Sequence, residues 1–170
     1  MARNFMCTKT DPVVETKAGK LRGFQLDGTY VFHGVKYADA KRFHQPTPVE
    51  PWEGIKNALA YGYVCPMLQQ DQPSNELMVP HRYWPLDENC QYLNIWTQHL
   101  DPNAKKPVLV WLHGGGFAAG SSIEHIAYEG ENMSKYGDVV VISLNHRLNI
   151  LGYLDLSPFG EEYKNSGNAG

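Results

Sequence analysis

Between residues 12 and 38, short β-branched and aromatic runs alternate with turn-forming residues. Val13-Val14-Glu15-Thr16 gives way to Lys17-Ala18-Gly19-Lys20, then to Leu21-Arg22-Gly23-Phe24-Gln25-Leu26. Asp27-Gly28 follows, a strong hairpin signal because both residue types tolerate positive φ, and Thr29-Tyr30-Val31-Phe32 resumes the strand pattern. The expectation is a small antiparallel β-meander over 12–38. Residues 39–90 lose any period. Pro46, Pro48, Pro51, Pro66, Pro73, Pro80 and Pro85 stand among aromatics there, which predicts an irregular covering region with one short helix near Asn57–Tyr61. From Gln91 the apolar runs return. Tyr92–Thr97 and Val108–Leu112 read as strands, Ile126–Tyr136 as a helix with Lys135 near its end and Gly137 as its stop, and Asp138–Leu144 as a buried strand. Strand, glycine loop, helix, strand is a βαβ unit, and its parallel strands need cover on both faces. The pattern predicts an α/β fold in which 91–170 begins a larger, mostly parallel sheet.

Candidate chemistry sits where the second strand stops. Pro107-Val108-Leu109-Val110-Trp111-Leu112 reads as a buried parallel strand and runs directly into His113-Gly114-Gly115-Gly116-Phe117. Three glycines free the backbone and let it approach a ligand with no Cβ in the way. Amide N–H groups on such a turn can converge on a developing negative charge, as an oxyanion hole requires. The same glycines would also suit a tight turn beneath a packed sheet. Gly114 to Ala119 satisfies the dinucleotide spacing G-x-G-x-x-A as well. That reading needs a helix opening at the glycines and an acid after the next strand. Gly120-Ser121-Ser122 delays the helix, and Ser143-Leu144-Asn145-His146-Arg147 holds no acid, so the nucleotide reading is set aside. No serine lies in a G-x-S-x-G nucleophile elbow.

Composition narrows the rest. With 15 basic against 18 acidic residues the chain is close to neutral, and no basic run draws it to nucleic acid or anionic lipid. Its apolar runs are strand-length, too short to span a membrane, and Met1-Ala2-Arg3-Asn4-Phe5-Met6 has no secretory h-region, which favours a cytoplasmic setting. None of the seven histidines pairs at metal-ligand spacing, and neither a metal nor another cofactor is expected. His113 reads as a residue that bonds nearby backbone and fixes the turn; Arg147 reads as pairing with a scaffold carboxylate. Trp84, Trp96 and Trp111 read as packing residues. Cys7, Cys65 and Cys90 allow one bridge at most. Cys65–Cys90 would close a loop of about 25 residues, worth roughly 3 kcal/mol, whereas a reducing compartment would keep both thiols.

Several ordered motifs carry a resemblance. Phe32-His33-Gly34-Val35-Lys36-Tyr37-Ala38 resembles F-x-G-I-P-Y-A, with lysine for proline, and Glu88-Asn89-Cys90-Gln91-Tyr92-Leu93-Asn94-Ile95-Trp96 resembles E-D-C-L-Y-L-N-I-W. HGGGFAAGSS (113–122) matches an oxyanion-loop motif, Tyr128-Glu129-Gly130 resembles Y-D-G, and Asn145-His146-Arg147-Leu148 resembles N-Y-R-L. Together they are similar to the N-terminal part of the type-B carboxylesterases, the family of cholinesterases and para-nitrobenzyl esterases. The resemblance implies an α/β-hydrolase domain of which 1–170 is the first portion. It implies ester hydrolysis through an acyl-serine, with the Gly115 and Gly116 N–H groups holding the oxyanion and a third donor following the serine. Phe117 and Ala118 would lie near the acyl pocket, and Cys65 and Cys90 match cysteines that close an Ω-loop. Serine, acid and histidine of the triad would lie beyond Gly170, so the chain alone is expected to be inactive. Its expected partners are a small-molecule ester and the C-terminal remainder of the enzyme. Members of this family that lack the serine act in adhesion or binding, which is the alternative reading. The departures in 39–43 and Asn89 for aspartate leave the oxyanion donors untouched.

Overall fold

Two sheets share the strands of this chain. The computed structural model describes residues 2–67 and 81–170. Its strands in chain order are β1 (Phe5–Met6), β2 (Val13–Glu15), β3 (Lys20–Arg22), β4 (Phe24–Leu26), β5 (Thr29–Lys36), β6 (Ile55–Asn57), β7 (Tyr92–Thr97), β8 (Val108–Leu112) and β9 (Val140–Leu144). Helix α1 (Glu131–Gly137) precedes β9 and α2 (Asn149–Tyr153) follows it. The larger sheet runs β1-β4-β5-β7-β9-β8, and the smaller β2-β3-β6. The predicted meander is therefore split: β2 and β3 join the small sheet, and β4 and β5 the large one. Asp27 (φ 49°) and Gly28 (φ 88°) form the two-residue turn between β4 and β5, with Leu26 opposite Thr29. Positive φ at both turn residues matches the twist of the strands it joins.

Alternation along β5 builds the core. Val31 faces one side and packs with Phe24, Trp96 and Val141. Phe32 faces the other and packs with Leu21 and Ala58, against Trp52 and Ile95. One strand thus anchors both apolar clusters, as a period of two dictates.

Four expectations change. The helix near Asn57–Tyr61 is absent: β6 pairs in parallel with β3, Ala58 N donates to Arg22 O, and His33 N donates to Ala58 O, so backbone partners hold the segment extended. The helix over 126–136 breaks in two, a 3₁₀ turn at Ile126–Tyr128 and α1 beginning after Gly130, whose Cα packs against Val141 and Trp96. Within the large sheet only β8 and β9 pair in parallel; β7 is antiparallel to both β5 and β9, so this sheet is mostly antiparallel among the described residues. Finally, β8 is not buried. Val108 and Leu112 are 58% and 63% exposed, because β9 covers one edge and no described element covers the other. Trp111 is half exposed with it, as is Trp84, whereas Trp96 is core. Pro73 and Pro80 lie outside the described residues.

Two buried polar side chains give separable predictions. Gln91 stands where the resembled signature has leucine, is 2% exposed, and leaves both amide atoms without a partner among the described residues. An unpaired buried amide costs about 1–3 kcal/mol on protein mutational scales. Gln91→Leu is therefore expected to raise stability by about 1–2 kcal/mol in urea titration, and an unchanged or lower midpoint would refute the account.

His33, on β5, stacks on Tyr61 with centroids 4.2 Å apart, and its Nε2 has no hydrogen-bond partner among the described residues. Burial pushes its pKa down to about 4. In the unfolded chain it protonates near 6.5, so the folded state loses stability as pH falls from 6.5 towards 4, by at most about 1.4 kcal/mol per pH unit. His33→Phe keeps a ring on Tyr61 and removes the proton site. Its acid limb of stability against pH should be flatter; an identical limb would assign the loss to other groups.

Candidate active site

The chain leaves β8 at Leu112 and turns through 113–120 before two buried serines. Gly115 and Gly116 take φ of 116° and 62°, and a Cβ on Gly115 would lie 2.0 Å from the Ala119 carbonyl oxygen. Ala118 N and Ala119 N both donate to Gly115 O, at 3.0 and 3.2 Å, closing a tight turn. The leading amides stay free. Gly115 and Gly116 are exposed, and among the described residues their N–H groups donate to no protein acceptor. No helix opens at these glycines, in keeping with setting the nucleotide reading aside.

Two consecutive contacts hold the turn from behind. Phe117 sits in the left-handed region (φ 62°), a conformation that costs a non-glycine residue about 1 kcal/mol or more. Asn149 N donates to Phe117 O at 2.7 Å; Asn149 is itself left-handed (φ 51°), and its Nδ2 donates to Pro66 O at 2.9 Å. Gly120 N donates to the Met67 thioether at 3.4 Å. Strain at Phe117 persists because residues 65–67 and the start of α2 over-determine it.

His113 does what its position suggested. It is buried, its Nδ1 bonds Gly114 O at 2.8 Å, and its ring stacks on His146 at 5.0 Å. Burial pushes its pKa down, which keeps the ring neutral beneath the loop.

Further support comes from two asparagines that pattern reading did not single out. Asn145 Oδ1 accepts from Ser122 N at 2.8 Å while its Nδ2 donates to Tyr63 O at 3.0 Å. Asn94, on β7, donates to the hydroxyls of Ser122 and Ser143 and accepts from Gly34 N. The available signal was an amide inside an otherwise apolar strand for Asn94 and directly after one for Asn145, since a buried amide persists only when its bonds are met.

Arg147 departs from expectation. Among the described residues it pairs with no carboxylate; it is 1% exposed and donates to three backbone carbonyls, Lys41 O at 3.0 Å, His44 O at 2.7 Å and Ala169 O at 2.9 Å. Cys65 and Cys90 stand as neighbouring buried thiols. Hydrogen bonding between the two free thiols pushes the pKa of Cys65 down and that of Cys90 up, and burial adds to the rise at Cys90. Leu148 N donates to Cys65 Sγ at 3.1 Å. Among the described residues no group of three His, Cys, Asp or Glu side chains could hold a metal ion. Nor does any described helix have the length and apolarity to cross a membrane.

Beside Gly116 an open cleft of about 580 Å³ is lined by Phe117, Ala118 and the first residues of α2. Taken together, the free amide pair, the clamped turn and the adjoining cleft can receive a carbonyl oxygen that becomes negative, with an apolar group beside it.

The profile of the carboxylesterase family matches residues 10–170. The para-nitrobenzyl esterase of Bacillus subtilis is 36% identical over 92% of this chain and 32% of its own length. The phenmedipham hydrolase of Pseudarthrobacter oxydans is 41% identical over 85% of the chain and 30% of its own. Among solved structures, an esterase from anaerobic Clostridium hathewayi, described as hydrolysing aliphatic aromatic polyesters, superposes with a TM-score of 0.95. It is 66% identical and covers 99% of this chain and 34% of that protein. The chain thus spans about a third of the length of the relatives it matches.

Proposed function

The chain belongs to the carboxylesterase family, and from that premise we propose that it supplies the oxyanion half of a serine esterase whose nucleophile, acid and histidine come from a C-terminal portion. The observation that carries the proposal is the exposed Gly115–Gly116 pair, its amides unclaimed and its turn held by Ala118, Ala119 and Asn149.

In the first step a serine oxygen attacks the ester carbonyl while the histidine takes the serine proton. The carbonyl oxygen becomes an oxyanion and moves towards the Gly115 and Gly116 N–H groups. Collapse breaks the bond to the alcohol, which leaves with the proton carried by the histidine. Water then attacks the acyl-serine by the same path, releases the carboxylic acid and restores the serine. The histidine is held by the acid throughout. Gly115 and Gly116 bond the oxygen most strongly when it is charged, so their contribution falls on the transition state. Phe117 and Ala118 flank the acyl group. The exposed β8 edge, with Val108, Val110 and Leu112 open, is the seat for the next strand of the enzyme. The same reading includes a bridge between Cys65 and Cys90 where conditions are oxidising, their thiols being neighbours already.

The substrate class is a carboxylic ester, and aliphatic aromatic polyesters join it through the 66% identity to the Clostridium hathewayi esterase. The test is a chimaera in which this chain replaces the matching third of that esterase. Hydrolysis of 4-nitrophenyl acetate and labelling by a fluorophosphonate outside this chain are expected. The 170-residue chain alone should show neither. An unlabelled, inactive but folded chimaera would overturn the proposal in favour of a binding role.

A further inference from the structure

Directly after the oxyanion turn, the chain carries a helix-start device that starts no helix. Ser121 and Glu124 stand at the Ser-x-x-Glu spacing of a capping box, in which a serine hydroxyl and a glutamate carboxylate each take a backbone N–H at a helix N-terminus. Both kinds of bond are made: Ser121 Oγ accepts from Ile123 N at 3.4 Å, and Glu124 Oε2 accepts from Ser121 N at 3.2 Å. Yet the chain continues as a turn. The next regular element is the 3₁₀ turn at Ile126–Tyr128, and α1 begins only at Glu131. The box closes a loop instead, with Glu124 N donating back to Ser121 O at 3.5 Å.

What the box holds is the return leg of the oxyanion turn. A Cβ on Gly120 would lie 2.6 Å from Gly114 O, 2.9 Å from His113 Nδ1 and 3.2 Å from Glu124 Oε2, so a carbonyl, a ring and a carboxylate gather at this one point of the backbone. One step earlier, the Ala119–Gly120 peptide lies against the Cα of Gly115, where a Cβ would meet Ala119 O at 2.0 Å and Gly120 N at 3.4 Å. A shift of Gly120 therefore reaches Gly115 through direct contact. The second oxygen of the carboxylate is steadied in turn: Tyr128 Oη donates to Glu124 Oε1 at 3.4 Å, and His125 Nε2 lies 3.6 Å from it. Arg82 N donates to Glu124 O at 2.8 Å and fixes the backbone of the same residue. Each of these contacts of the carboxylate is made within residues 113–128 and requires nothing outside this chain.

We infer that Glu124 is a positioning residue for ester hydrolysis: by accepting the Ser121 N–H it fixes the return leg of the turn, and through that leg the direction of the Gly115 and Gly116 amides. Ser121 is buried, so without the carboxylate its N–H stands unmet and the loop must rearrange to find another acceptor. Donors to an oxyanion act because they already point at the place where charge develops, and a small displacement of them is felt mainly in the transition state. The role rests on the acyl-transfer reading above, and it goes beyond it by naming the side chain that sets the donors.

The experiment uses the chimaera, with kcat and KM for 4-nitrophenyl acetate expressed per site titrated by fluorophosphonate. It adds the Ki of an alkyl trifluoromethyl ketone, whose adduct with the serine carries an oxyanion. Glu124→Ala is expected to lower kcat about tenfold and to raise that Ki by a similar factor, with KM within about twofold of the parent. Glu124→Gln keeps an oxygen for the Ser121 N–H and should restore kcat to within about threefold. Glu124→Asp keeps the charge but is one methylene short, so it should rank nearer to alanine; it carries the test if the alanine variant does not accumulate. Values of kcat and Ki within about twofold of the parent in the variants that fold would overturn the role and leave the box a brace for the fold alone. A glutamine variant as impaired as the alanine one would overturn it too, because charge and not the bond to Ser121 would then be at work. An inactive, unlabelled parent chimaera would instead remove the acyl-transfer reading itself, so the two failures are distinguishable.

Discussion

Gly115→Ala in the chimaera is expected to lower kcat/KM for 4-nitrophenyl acetate by about 10²–10³-fold, most of it in kcat. Two independent facts lead there. A methyl group at Gly115 would meet Ala119 O at 2.0 Å, a distance that no rotamer relieves because the obstacle is backbone. The loop must open, and the bonds from Ala118 and Ala119 to Gly115 O that set the direction of the free amides open with it. Moreover φ of 116° is closed to L side chains, so alanine would pull the Gly115 N–H away from the oxyanion. Gly116→Ala isolates the second cause: a Cβ there meets nothing within 4 Å, and φ of 62° is the left-handed well that alanine enters at about 1–2 kcal/mol. Its loss should be near tenfold. Steady-state kinetics with active sites counted by fluorophosphonate decide the matter, and a Gly115→Ala enzyme within threefold of the parent would remove these amides from the mechanism.

Much of this site was legible because it is built from backbone. Glycine has no side chain whose placement needs predicting, so a run of three after an apolar strand announces a turn with open amides before any fold is known. β7 and β8 were legible to the residue for a related reason: Tyr92–Thr97 and Val108–Leu112 are apolar runs with clear polar limits. What failed depended on partners far along the chain. Residues 57–61 have no intrinsic reason to be extended; Arg22 and His33 impose it through backbone bonds across some 25 to 35 positions. β8 looked buried because its composition is that of a strand with two neighbours, and that composition reports a complete sheet rather than the surfaces covered here. Arg147 was assigned a carboxylate because charge usually seeks charge. Instead, three carbonyls gathered from Lys41, His44 and Ala169 satisfy it, and carbonyls leave no mark in a sequence. Asn94 and Asn145 stand within motifs, but the signal is legible in both: a lone amide inside the apolar run of β7 for Asn94, and one directly after that of β9 for Asn145.

Arg147→Met is expected to destabilise the chimaera by about 3–5 kcal/mol, read as a lower urea midpoint at constant m. The methionine matches the length and apolar volume of the arginine stem, so a cavity is not the cause. The loss comes from carbonyls: the buried Ala169 O and the half-buried His44 O are left without the guanidinium that joined them, while Lys41 O keeps the bond from His44 N. Each unmet buried acceptor costs about 1–3 kcal/mol, and the contributions do not add fully because the chain relaxes. Burial already pushes the Arg147 pKa below its ordinary value, a sign that the charge is held by these bonds and not by water. Arg147→Lys should recover less than half, since one ammonium cannot reproduce a planar fork reaching segments on different sides. The consequence extends to catalysis. Leu148 and Asn149 follow directly, and through them pass the bond to Cys65 Sγ and the bond that pins the Phe117 carbonyl. Loosening Arg147 therefore frees the clamp behind the oxyanion turn, and kcat should fall at temperatures well below global unfolding. A variant within 1 kcal/mol of the parent would mean that the carbonyls find other donors, and that the clamp is set by Asn149 alone.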